Sequence, residues 1–102
     1  MHVIEIFLPL ADNEGRPFPA ALWAGVREAL VERFGGLTAF TRSPAEGLWD
    51  EGEGGRSRDQ IVIFEVMAET LDRGWWRGFR EGLERDFRQE EIVVRAQEAE
   101  RL

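Results

Sequence analysis

Two apolar stripes at four-residue spacing restrict most of what this chain can fold into. Leu71, Trp75, Phe79, Leu83 and Phe87 recur at every fourth position, with Trp76 beside them, which is the period of a helix that buries one face. Thr70 or Asp72 can cap its start. An earlier segment carries Leu22, Val26 and Leu30 at the same spacing, joined by Trp23 and Phe34. Pro17 and Pro19 lead into that segment and Gly35 and Gly36 end it, so a first helix is expected over about 19–34. Gly74, Gly78 and Gly82 lie inside the second stripe. Such small residues are expected to let a helix approach a sheet closely.

Around the stripes lie runs of β-branched and aromatic residues. H-V-I-E-I-F-L at 2–8 is stopped by Pro9, and L-T-A-F-T-R at 37–42, I-V-I-F-E-V-M at 61–67 and E-I-V-V-R-A at 91–96 follow. The intervening S-P-A-E-G-L-W-D-E-G-E-G-G-R-S-R-D reads as a polar, glycine-rich loop carrying one large aromatic, Trp49. Strand and helix therefore alternate as βαββαβ. That order predicts an α+β, ferredoxin-like sandwich, in which a four-stranded antiparallel sheet has strands one and three at its centre and both helices on one face. The 102 residues suit one such domain, 1–102.

Composition removes several kinds of chemistry. The chain has no cysteine and no tyrosine, and its 13 basic residues are all arginine. Disulfides, thiolates, Schiff bases and a P-loop lysine are thereby excluded. A net charge of −7 repels phosphate backbones and anionic membranes, so neither nucleic acid nor membrane is expected as a partner. No apolar run approaches the length of a membrane span, and a cytoplasmic location is expected. The glycines of D-E-G-E-G-G at 50–55 match neither a dinucleotide fingerprint nor a P-loop, and its acids lack EF-hand spacing. His2 is the single histidine. No metal and no cofactor is expected.

Alternation along each strand sorts the side chains into two faces. Ile4, Ile6 and Leu8, Val62, Phe64 and Val66, and Ile92, Val94 and Ala96 form wholly apolar sets that belong against the helices. The opposite sets carry Glu5, Glu65, Glu91 and Arg95 among Val3, Phe7, Ile61, Ile63, Met67 and Val93, with Arg42 a further candidate from the second strand. So apolar an open face calls for a cover, and a second copy of the sheet is expected to supply it.

Two readings of the carboxylates compete. If Arg95 and Arg42 pair with Glu5 and Glu65, the cluster is architecture that fixes register or dimer geometry. If the two acids lie together in a half-apolar cavity, one can hold a proton beside the other's charge, the arrangement of acid–base catalysis. Glu65 or Glu5 would then be the base, with Arg95 or Arg42 orienting an organic acid and Trp49 closing over it or anchoring its loop.

F-G-G-L-T-A-F at 34–40, E-G-L-W at 46–49 and F-R-Q-E-E-I-V-V-R at 87–95 resemble a family of small bacterial proteins. No activity is attached to that family, so the resemblance implies no catalytic residue. More broadly the architecture resembles the dimeric α+β barrel group, which includes cofactor-independent monooxygenases, isomerases, haem-handling enzymes and ligand-binding regulators. A haem-binding member would want a histidine in the pocket, and His2 is poorly placed for that. The sequence thus predicts a homodimeric small-molecule-binding or interaction module, with a cofactor-independent isomerase or monooxygenase-like enzyme as the alternative.

Overall fold

The computed structural model describes the backbone of residues 1–50 and 56–102 and the side chains of residues 1–40 and 60–102. Its elements run β1 (His2–Pro9), α1 (Ala20–Phe34), β2 (Thr38–Asp50), β3 (Arg56–Ala68), α2 (Arg73–Asp86) and β4 (Val94–Glu98). The strands form one sheet in the order β2-β3-β1-β4, and each neighbouring pair is antiparallel. This is the α+β sandwich expected from the order of elements.

The apolar sets pack as alternation requires. Ile4, Ile6, Leu8, Val62, Phe64 and Val66 are buried with Val26 and Leu30 of α1 and with Trp76 and Leu83 of α2 in one core. Both helices therefore lie on the same face. Asp72 caps α2, its side chain accepting a hydrogen bond from the Trp75 N–H at 3.0 Å. At the end of α1 the chain turns through Gly35 at φ 79°, whose N–H donates to the Val31 carbonyl at 2.7 Å, a left-handed position where glycine avoids a Cβ clash. Phe34 stacks on Trp76 with ring centroids 5.2 Å apart, joining the two helices at one end of the sandwich.

Three expectations need correction. The loop expected between the second and third strands is mostly strand, since after a register shift between Phe40 and Ala45 the pairing resumes and runs out to Asp50 opposite Arg56. Pro44, which has no N–H to give a ladder, falls within that shift. Residues 43–59 lack the apolar alternation by which a strand is recognised. The fourth strand, expected over 91–96, is Val94–Glu98. Ile92 instead drops into the core at 2% exposure, with its N–H donating to Glu84 Oε2 at 2.9 Å. The glycines of α2 allow no close approach to the sheet, because a Cβ added at Gly78 would meet nothing within 4 Å.

An acidic row and cleft as the candidate functional site

Strand register lines up Thr38, Glu65, Glu5 and Arg95 in one row across the open face. Arg95 Nε donates to Glu5 Oε1 at 2.9 Å, and the guanidinium carbon lies 4.9 Å from the centre of the Phe7 ring. With side chains 63% and 16% exposed for Arg95 and Glu5, the pair is one-sided. The carboxylate is sheltered while the arginine spans the surface, its stem and planar head lying on apolar neighbours. This half of the cluster is an ion pair between neighbouring strands.

Glu65 differs. It is half-buried beside Glu5, and no ion pair to it is found among the described residues. Arg42, its other expected partner, lies outside the described side chains, and so does Trp49. The backbone of Trp49 belongs to β2, opposite Ser57 of β3, and not to a loop. Glu91 is exposed and precedes β4, so it joins neither the row nor the ladder. The acids at 50–55 lie outside the described side chains. Among the described residues no group of three or more histidine, cysteine, aspartate or glutamate side chains could hold a metal ion.

A cleft opens where the row meets the end of the sheet. Pairing of β2 with β3 begins with Thr38 opposite Glu65, whereas β3 continues through Val66, Met67 and Ala68 with partners in β1 alone. Across that unpaired edge lie the last turn of α1 and the first turn of α2, and together they bound a space of about 1230 Å³. Thr38, Glu65, Phe34, Trp75 and Trp76 line it, with Glu32, Glu69 and Arg101 at charged positions. Arg33 and Asp72 line it too, but they take up each other's charge, at 3.2 Å, and Arg33 also lies 4.4 Å from the Trp75 ring centre. What remains is three carboxylates, Glu32, Glu65 and Glu69, against Arg101 and the amino group of Met1. The cleft brings Glu65 together with residues that sequence reasoning assigned to helix packing. Spacing within α2 could not show that Trp75 and Trp76 also wall a space left by the late start of β2.

Apart from Gln97, opposite Val3, the rest of the described open face is apolar. Val3, Phe7, Ile61 and Ile63 are half-buried, while Phe40, Met67 and Val93 are 47%, 55% and 50% exposed.

These features define a four-stranded α+β sandwich with an acidic, partly aromatic cleft at one end. Among solved structures it is similar to a phage SAM lyase in complex with S-methyl-5′-thioadenosine, with a TM-score of 0.62 and 20% identity over 95% of this chain and 80% of that one. The apo state of a phage SAM lyase is also similar, with a TM-score of 0.55 and 19% identity over 94% and 78% of the two chains. At such identity the likeness is one of fold. No protein-family model and no curated protein matches the chain, so the bacterial family suggested by its short motifs rests on those motifs alone. No described helix is long and apolar enough to cross a membrane.

Proposed function

We propose that the protein is a homodimeric small-molecule-binding module whose ligand sits in the cleft against Glu65. The observation that carries this reading is the placement of Glu65. It stands where the open face meets a space of about 1230 Å³, beside a Glu5 whose charge is already met by Arg95. The charges left on the lining favour a cation-bearing ligand over the organic acid that the sequence suggested, and Trp75 and Trp76, whose faces pack on Phe79, Arg33 and Phe34, give the wall aromatic edges against which a ring can lie. The phage SAM lyases of similar fold support the reading, one of them holding a nucleoside thioether. S-adenosylmethionine, a sulfonium with an adenine ring, combines the two features the cleft would take. A second copy on the apolar face would close the open side of the cleft.

A second reading makes the protein an enzyme. Glu5 and Glu65 are directly opposed in the ladder, which puts a base within reach of anything bound beside Glu65, and the structural neighbours are lyases. Calorimetry with S-adenosylmethionine, S-methyl-5′-thioadenosine and a panel of organic acids separates the cases. Binding of a cation-bearing nucleoside that is lost in Glu65→Gln supports the module, and its turnover by wild type supports the enzyme. Binding of organic acids alone, or binding unchanged by Glu65→Gln, removes Glu65 from the site.

A further inference from the structure

A second groove runs between α2 and the outer edge of β4, and Arg95 is among the residues that reach it. It encloses about 540 Å³ and is lined by His2, Arg73, Trp76, Arg77, Arg80 and Glu98 among others. The three arginines are spaced i, i+4 and i+7, so they share one helix face. Arg80 is held in place by Glu84 at 3.0 Å. Arg73 and Arg77 are exposed and make no ion pair among the described residues.

Their position is electrostatically adverse. Arg73 opens α2 directly after the Asp72 cap, and the first turn past that cap holds no acid, although the positive pole of the helix dipole favours acids and repels cations there. Like charges at i, i+4 repel as well. A chain with 20 acidic residues and a net charge of −7 has set Arg73 where the helix dipole disfavours a cation, with Arg77 and Arg80 following it along the same face. An anion in the groove reverses the sign of each of these interactions. His2 lines the same groove, and its Nδ1 is buried with no hydrogen-bond partner, so the wall holds polar capacity the described residues leave unused. Trp76 adds an apolar side, and the volume suits a small ligand.

We propose that this groove binds a small phosphate monoester, with Arg73 and Arg77 holding the phosphate oxygens and Trp76 beside the organic part. The guanidinium fork suits phosphate geometry. The test is a titration of the full ¹⁵N-labelled chain with inorganic phosphate and with phenyl phosphate, against sodium chloride at matched ionic strength. Saturable shifts at Arg73, Arg77 and Trp76, stronger for phenyl phosphate, are expected. Arg77→Gln should weaken binding at least tenfold and Arg77→Lys less so. Both variants alter an exposed side chain, and an unchanged melting temperature without phosphate shows that the fold is kept. Shifts that chloride reproduces, or that persist in Arg77→Gln, overturn the proposal. So does an acidic peptide that shifts β4 amides when phosphate does not, which would make the groove an edge-strand docking site instead.

Discussion

Glu5 and Glu65 stand directly opposite each other across the two central strands, yet among the described residues only Glu5 is met by a cation, Arg95 at 2.9 Å. Opposed like charges destabilise an antiparallel pair. Glu65→Gln is therefore expected to leave stability unchanged or to raise it by up to about 1 kcal/mol. Arg95→Ala, which removes the ion pair and the contact with Phe7, is expected to cost about 1 kcal/mol. In the Arg95→Ala background the gain from Glu65→Gln should be larger, because both carboxylates have then lost that cation. Urea denaturation of the four proteins gives the coupling directly. A Glu65→Gln variant less stable than wild type by more than about 1 kcal/mol would show that Glu65 has a structural partner after all.

Asp72 joins two elements, accepting the Trp75 N–H at 3.0 Å and pairing with Arg33 at 3.2 Å. Its partners differ in worth, since an N-cap bond is local and well formed while the ion pair is largely solvated. Asp72→Ala should cost about 1–2 kcal/mol, and Asp72→Asn, which keeps a capping oxygen, only a few tenths. Equal losses in the two variants, measured by denaturant unfolding, would mean that the ion pair and not the cap is what matters.

Gly78 lies in the middle of α2 with open space where a Cβ would go. Gly78→Ala should stabilise the protein by about 0.5–1 kcal/mol, through helix propensity and a less flexible unfolded chain. Gly35 supplies the contrast, because its φ of 79° strains any L side chain even though space is free. Gly35→Ala should destabilise by about 1 kcal/mol. Thermal unfolding of the two variants should thus shift in opposite directions.

Strand alternation made the faces legible, because Ile4, Ile6 and Leu8 and Val62, Phe64 and Val66 repeat every second residue against polar or mixed partners, and burial follows that pattern. Register was not legible. Nothing in the spacing of Glu5, Glu65 and Arg95 says that they share one row, which depends on how far each strand slides past its neighbour. The long ribbon of β2 and β3 was not legible because its sequence lacks the apolar alternation that marks a strand. The cleft escaped because it is made by the difference in length between β3 and β2, which no single segment contains.

Asp12 accepts the Arg16 N–H at 2.8 Å and the Glu14 N–H at 2.9 Å. Its carboxyl is held below the usual 3.8, first by the Arg16 N–H, against an opposing desolvation, and then by the Glu14 N–H and the Arg16 guanidinium. A carboxylate lowered on folding stabilises the native state above its unfolded value, and that contribution is lost as pH falls through the lowered one. NMR titration should place the Asp12 midpoint below 3.8. The stability difference between wild type and Asp12→Ala should be constant above about pH 5 and shrink on acidification below about pH 4. A difference independent of pH would mean that the turn is held without the charge.

The open face supplies the most demanding prediction. Phe40, Met67 and Val93 are each about half exposed; Phe40 extends Ile63 and Phe7 on one side of the charged row and Met67 extends Val3 on the other, apolar surface that a second copy would bury. Sedimentation should show a dimer for wild type and a folded monomer for Val93→Glu, which lies away from the cleft. Glu65→Gln, which leaves the apolar surface intact, should dimerise as tightly as wild type, because that acid is held for the ligand. A wild type that stays monomeric at high concentration removes the dimer, whereas a dimer lost in Glu65→Gln puts a partner cation on Glu65 in place of the ligand.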